Sequence, residues 1–271
     1  MYKVESFDMY KELKAAQKGG AGKLINNIYF MPNEIKRLIE LNKLYYESRE
    51  DGLYFYVDET DYLRLYYIKS CEKELQQFAD DKTLVLDFVF KENQQEFIKS
   101  QTDEWLKNGF KKYKRYVRMK KSLSEIVTGK TNEKYKIEVA GHSQAEAIIE
   151  LWRESLDILS TSLPSVSEMY EMIDDGNVYC IDDNGNLVAA VFMNITGKTS
   201  VTLSHLSVSS KYRKQGIASV LVDGALNRMV KQGIENCILW VDEKNTPAYN
   251  MYVKYEFIPD GLISDQYLNK I

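Results

Sequence analysis

The chain has 271 residues, of which 44% are hydrophobic and 28% charged, a balance that excludes a disordered chain. Only 4 Pro and 14 Gly exclude a collagen-like or proline-rich linker protein. A net charge of −4 argues against a general nucleic-acid binder, and no apolar run of about 18 residues is present to form a membrane-spanning helix.

In chain order, the first residues, MYKVESFDMYKELK, are charged throughout and lack the apolar stretch of a secretory signal. Cys71, Cys180 and Cys237 are far apart and odd in number, forming neither a disulfide framework nor a paired metal motif. Together these point to a reduced, cytoplasmic setting. The run Gly19–Leu24, GGAGKL, has the look of a phosphate-binding loop. It lacks a hydroxyl residue after the lysine, the spacing of the first glycine and a preceding apolar strand, so it reads as a flexible loop. Leu38, Leu41 and Leu44 predict a helix over Asn33–Glu47. Leu53–Val57 and Tyr62–Ile68 flank Asp58–Asp61 as a hairpin. Lys69–Phe78, KSCEKELQQF, reads as helix, Thr83–Phe90 as a buried strand, and Gln94–Lys107 as a helix stopped by Asn108-Gly109. Lys111–Met119 reads as a strand. Lys107–Lys121 holds eight Lys or Arg in 15 residues with aromatics between them. This is either a nucleic-acid strip or, favoured here, the solvated face of an edge strand.

The polar segment Lys121–Lys134 marks a junction near residue 130. Residues 1–130 carry a net charge of +3 and residues 131–271 one of −7, so two domains, 1–130 and 131–271, are expected. The second half opens with a strand over Lys136–Val139, a helix near Gln144–Glu154 and another over Ser167–Asp174, for which Ser167 is the expected cap. Val178–Ile181 and Leu187–Ile195 form a hairpin around Asn184-Gly185. A strand over Thr199–Val208, a helix from Gly216 to Gln232 ended by Gly233, a short buried strand Cys237–Val241, and a helix beginning at Pro247 and running to Lys254 follow. The two halves share the order helix, hairpin, helix, buried strand, helix, final strand, which suggests an internal duplication.

Chemistry concentrates in Leu203–Ala218, LSHLSVSSKYRKQGIA. A strand ends at Val208, a polar loop follows, and Gly216 opens a helix. A helix N-terminus offers unpaired N–H groups and partial positive charge, which suits a pyrophosphate. Gly216 and Ala218 remove side-chain bulk, while Lys211, Arg213 and Lys214 add cations. The alternative is an ordinary strand–helix turn with a solvated basic loop.

Arg213, Gly216 and Ala218 match R/Q-x-x-G-x-G/A after a strand, and Asn245, Ala248, Tyr252 and Phe257 match a later N-x-x-A-x-x-x-Y and its closing aromatic. Over about residues 135–260 the chain therefore resembles the GNAT superfamily of N-acetyltransferases. The resemblance implies an α/β (α+β) fold: two tandem GNAT-like domains, each a central, mostly antiparallel mixed sheet flanked by helices. It implies acetyl-CoA as cosubstrate, no metal, and direct transfer of an acetyl group to a primary amine. Leu206, Ser207 and Val208 would face the thioester with their backbone N–H groups. Arg213, Lys214, Gln215, Gly216, Ile217 and Ala218 would hold the pyrophosphate, with Asn245 and Ala248 nearby. Tyr252 would be the general acid. No carboxylate lies on Thr202–Val208, and His205 is the titrating side chain there, so His205 is the candidate general base. His142 reads as a cap or loop residue. Rival readings are an acyl-CoA-binding regulatory module without turnover and an enzyme acting on protein N-termini or lysines. The acceptor is a small-molecule or peptide amine; no nucleic-acid or membrane partner is expected, and a homodimer is left open. Two departures stand out. Glu256 occupies the place of the family's usual glycine, and the tail Ile263–Ile271 is short enough to predict a brief or irregular last strand. The first half has Asn108-Gly109-Phe110 but no phosphate-loop motif, and the short connection before Thr83 leaves no room for the loop and its helix. By resemblance it is a degenerate copy without a site.

Overall fold

Almost every residue from Leu53 to Ile68 outside the hairpin turn is buried, which requires a sheet covered on both faces. A computed structural model, which describes residues 1–17, 23–78, 81–123 and 134–270, places that sheet in the first of two compact units. The first unit comprises Met1–Tyr116 and Gly261–Ile271, the second Val117–Asp260. The division thus falls inside a strand and not near residue 130, and the last residues belong to the first unit. The polar segment expected to be the junction lies mostly outside the described residues, as does most of the glycine-rich stretch Gly19–Leu24.

The first unit contains β1 (Tyr2–Lys3), α1 (Phe7–Ala16), β2 (Leu24–Asn26), α2 (Pro32–Glu40), β3 (Leu44–Ser48), β4 (Gly52–Asp58), β5 (Tyr62–Ser70), β6 (Thr83–Lys91), α3 (Gln95–Lys107) and the start of β7 (Lys111–Ser122). Strands β3, β4 and β5 are antiparallel neighbours, and β5 runs parallel to β6. One face, with Tyr54, Tyr56, Leu65 and Tyr67, packs on Trp105 of α3. The other, with Leu53, Phe55 and Tyr66, packs on Tyr10 of α1 and Ile35 of α2.

Three expectations change here. The helix expected over Asn33–Glu47 stops at Glu40. Asn42 turns left-handed at φ 58, and Lys43 N–H closes back on the Leu38 carbonyl at 2.9 Å, which ends the helix as a glycine would and frees Leu44 to begin β3. Lys69–Phe78 is not a helix. Two of its amides go to side chains instead: Leu75 N–H to Glu104 at 2.8 Å and Gln76 N–H to Asp51 at 3.4 Å. The last strand, β13 (Ile258–Leu268), is long and regular, because Leu262–Leu268 pairs antiparallel with Val85–Lys91 of β6.

The second unit follows the expected order: β8 (Ile137–Val139), α4 (Ala145–Ser155), α5 (Val166–Asp174), β9 (Val178–Asp183), β10 (Asn186–Ile195), β11 (Ser200–Val208), α6 (Ile217–Lys231), β12 (Asn236–Asp242) and α7 (Thr246–Lys254). The cap of α5 is Ser165 and not Ser167: its hydroxyl accepts from Glu168 N–H, and Glu168 reciprocates on the Ser165 amide. Strands β8 to β11 are antiparallel and β11 is parallel to β12. Helices α6 and α7 cover one face with Leu221, Leu226 and Tyr252; α4 and α5 cover the other with Trp152 and Met169. Each unit is therefore a mixed, mostly antiparallel sheet with helices on both faces, the fold class expected.

The basic strip does not lie on an edge strand. β7 stands between β13 and β12 in the strand order. Its cations are taken up by carboxylates of the same unit: Lys112 and Arg115 by Asp265, Arg118 by Asp260 and Lys121 by Glu256.

Candidate active site

Parallel pairing of β11 with β12 covers Ser200–Thr202 against Asn236–Ile238. Past that point no further pair joins them among the described residues, although β11 continues to Val208. The strand edge that faces away from β10 there carries N–H and C=O groups with no strand partner. On the β10 side the register slips: Ser204 faces Phe192 and Ser207 faces Ala190, so His205 and Leu206 together stand opposite Val191. This is a β-bulge, a device that re-aims a side chain and interrupts the ladder. His205 accommodates it at φ 55, a left-handed conformation that costs a non-glycine residue about 1–2 kcal/mol. Ser207 is buried, and its hydroxyl oxygen has no hydrogen-bond partner.

The loop after Val208 curls. Arg213 Nε donates to the Val208 carbonyl at 3.0 Å, tying the loop to the strand end. Lys214 takes φ 62 and Gly216 φ 77, so two left-handed residues bracket Gln215, whose Oε1 accepts from the Tyr135 hydroxyl at 3.2 Å. Such a turn aims successive N–H groups into one concavity, and the first amides of α6 add to it. A side chain at Gly216 would meet no atom within 4 Å. The glycine thus serves the backbone conformation and leaves open space in front of the helix. Ile217 is buried in the core, and Ala218 is half-buried behind it. Lys211, Arg213 and Lys214 are exposed around the opening. An anion fits this cradle on charge, donors and room.

Asn245 caps α7, its Oδ1 accepting from Ala248 N–H at 3.2 Å; Ala248 packs on the core. Tyr252 is buried one turn from the end of that helix, edge-on to Phe257 at 5.8 Å. Burial pushes its hydroxyl well above the usual tyrosine pKa, and the Cys237 thiol adds to the effect. The missing glycine is replaced by strain. Glu256 itself turns left-handed at φ 62, Phe257 N–H closes on the Tyr252 carbonyl at 3.0 Å, and Lys121 holds the Glu256 carboxylate at 2.9 Å.

His205 projects to the opposite face from Tyr252, among the side chains of the α4–α5 core. Its ring lies 4.6 Å from that of Trp152 and 6.2 Å from Phe192. Nε2 is 2.9 Å from the Ser162 carbonyl oxygen. A carbonyl only accepts, so Nε2 carries the hydrogen. In the neutral ring Nδ1 is then the free lone pair, and it is buried without a partner. Burial lowers the histidine pKa, against the raising effect of the Ser162 bond. Trp152 Nε1 is likewise buried and unpartnered. Neither Trp152 nor Ser162 was singled out by the sequence. Trp152 reads there as one more apolar position of α4, and Ser162 contributes a backbone oxygen, which leaves no residue-type signal.

The structure thus brings Leu206–Val208 and Arg213–Ala218 together at the parting of β11 from β12. It sets Tyr252 and His205 on either face of the sheet beside that parting. His142 stands apart, in a short 3-10 turn, 2.8 Å from Asp174 and stacked on Tyr170. Among the described residues no group of three His, Cys, Asp or Glu could hold a metal ion, and no helix is long and apolar enough to cross a membrane.

Residues 145–257 match the family model described as the acetyltransferase (GNAT) family. No curated protein matches the chain. Among solved structures, a GCN5-related N-acetyltransferase from Sphaerobacter thermophilus superposes with a TM-score of 0.60 at 11% identity, over 94% of this chain and 88% of that one. A GCN5-related N-acetyltransferase from Kribbella flavida gives 0.57 at 11% identity, over 88% and 93%. A tandem GNAT protein from the clavulanic acid biosynthesis pathway gives 0.60 at 11% identity, over 97% and 94%. At these identities the likeness is one of fold.

Proposed function

We propose that the protein, whose residues 145–257 match the acetyltransferase (GNAT) family model, transfers an acetyl group from acetyl-CoA to a primary amine by direct attack with both reactants bound. The observation that carries this reading is the parting of β11 from β12 beside a glycine-hinged helix N-terminus. That arrangement combines an unpaired strand edge for an extended arm with a cradle for a pyrophosphate.

Acetyl-CoA supplies an already activated thioester, so no covalent enzyme intermediate is needed. The chain contributes position and polarity. Amides of Lys214–Ala218 hold the diphosphate, with Arg213 and Lys214 as counter-charges. Backbone N–H groups of Leu206–Val208 at the bulge face the carbonyl that gains negative charge, where fixed donors are most effective. His205 takes one proton from the bound ammonium on Nδ1, because the Ser162 carbonyl keeps the hydrogen on Nε2, and the neutral amine that results attacks the thioester; the second nitrogen proton, lost as the amide forms, restores the hydroxyl proton that Tyr252 gives to the thiolate. Tyr252, kept protonated by burial, gives a proton to the departing thiolate. Holding both reactants in one site lowers the barrier by several kcal/mol.

The first unit is read as a degenerate copy of the second. A leading strand, two helices, three antiparallel strands, a parallel partner and a helix recur in order, with β2 inserted between the two helices of the first unit and, among the described residues, no counterpart of α6 there. The acceptor is a small-molecule amine or the amine of a peptide, and the setting is cytoplasmic. The test is acetyl-CoA with a panel of small amines, an N-terminal peptide and a lysine peptide, read as released thiol and acetylated product. Product on any member supports the reading. Stoichiometric CoA binding with no transfer to any of them would instead make the protein a binding module.

A further inference from the structure

The first unit contains the same fork of parallel strands as the second. β5 pairs with β6 across Tyr62–Leu65 and Thr83–Leu86 and then no further, although both strands continue. In the second unit the matching edge of β11 has no strand partner among the described residues. In the first it is filled. β2 takes up the free edge of β5, antiparallel, with Leu24, Ile25 and Asn26 opposite Ser70, Lys69 and Ile68, and Cys71 N–H extends the ladder to the Lys23 carbonyl at 3.0 Å.

Between the end of β6 pairing and the start of β2 pairing sits Asn27. Its Nδ2 donates to the Leu65 carbonyl at 3.1 Å and to the Asp87 carbonyl at 3.2 Å, and its Oδ1 accepts from Tyr67 N–H at 2.8 Å. One buried side-chain amide thus satisfies backbone groups of both strands at the point where they separate. An asparagine side chain carries the same donor and acceptor pair as a peptide unit. Asn27 therefore acts as one more rung of the ladder, and Ile25 seals the edge against the α3-side core.

We propose that the first unit's fork is filled by its own chain, β2 and Asn27 standing where the second unit leaves an edge for acyl-CoA, so that one chain takes up one acyl-CoA. This rests on the acetyl-CoA reading of the second unit; the filling of the fork does not. Without the plug, the Asp87 carbonyl and the Tyr67 amide, which face each other across the fork, would lose the partner that Asn27 gives them in a buried setting, which proteins avoid.

Two measurements on the full chain separate the parts. Hydrogen exchange without ligand reads the plug directly. The amides of Tyr67 and Ile68 are expected to be protected in the wild type. In Asn27→Ala, Tyr67 is expected to exchange about tenfold faster or more, with β9–β11 unchanged and Asn27→Gln intermediate. Rapid exchange at Tyr67 in the wild type, or no change in Asn27→Ala, overturns the plug. Calorimetric titration with CoA reads the count. One site per chain is expected, falling to none in Gly216→Val. Two sites in the wild type, or a full site surviving in Gly216→Val, overturns the proposal. No CoA binding to a folded wild type overturns the one-acyl-CoA count together with the acetyl-CoA reading, and leaves the exchange data to decide the plug. Should Asn27→Ala fail to fold, Asn27→Asp, which keeps the acceptor and loses both donors, serves in its place with the same two outcomes.

Discussion

His205 shows how a single residue can be set up by groups that share none of its chemistry. The Ser162 carbonyl fixes the tautomer, Trp152 and Phe192 desolvate the ring, and the bulge aims it. A general base must be neutral to act, and burial holds the His205 pKa below its ordinary 6.5. As pH falls, kcat/KM for an amine is therefore expected to stay level through 6.5 and decline only below it. In His205→Ala kcat/KM drops and the acidic limb due to this group disappears. His205→Gln, which can still donate to Ser162, tests position without basicity. An unchanged pH profile in both variants removes His205 from the reaction. Tyr252 works in the opposite sense. Its hydroxyl stays protonated through the working range, so no alkaline limb should arise from it. Tyr252→Phe is expected to slow single-turnover acetyl transfer by roughly 10²–10⁴-fold while leaving CoA affinity nearly unchanged. Full single-turnover activity would return Tyr252 to the role of a packed core aromatic.

At the scale of elements, the start of α6 is the feature most open to test. Gly216 has φ 77 and nothing near its missing side chain, so Gly216→Ala isolates the conformational cost, about 1–2 kcal/mol, and Gly216→Val adds bulk in the space an anion would enter. CoA affinity is expected to fall by about tenfold in the first and further in the second, read by calorimetry; equal affinities in all three would place the pyrophosphate elsewhere. This loop was legible in the sequence because it is local: a strand end, a basic turn, a glycine and a helix are all set by neighbours in the chain. The hairpins and α3 were legible for the same reason. Lys69–Phe78 was not. Its pattern suits a helix, but Glu104 and Asp51, distant in sequence, capture two of its amides. The bulge at His205 also escaped, since it exists only as a mismatch between β11 and β10. Glu256 is an instructive case. The sequence showed a missing glycine, and the backbone takes the left-handed turn regardless.

For the molecule as a whole, the charge asymmetry between the halves is less informative than where the ends of the chain belong. The segment Gly261–Ile271 completes the first unit, not the second, and a length-based division into consecutive halves could not reveal it. Its anchor is Asp265, 4% exposed, which receives Arg115 Nε at 2.6 Å, Arg115 Nη2 at 2.7 Å and Lys112 at 2.9 Å. Burial opposes ionisation of this carboxyl, but Arg115 and Lys112 outweigh it and hold its pKa below 3.8. The sign follows: a group whose folded pKa is depressed adds stability above the unfolded value and loses it as pH falls through the folded one. The pair should thus support the first unit at neutral pH and fail only in strong acid. Asp265→Ala removes the buried carboxylate that Arg115 and Lys112 share, so a loss of about 2 kcal/mol is expected. It should appear as faster hydrogen exchange along Val85–Lys91, where β13 pairs with β6, before any change in β9–β11. Asp265→Ala exchange that rises equally in both units would show that the C-terminal strand does not stabilise the first unit selectively.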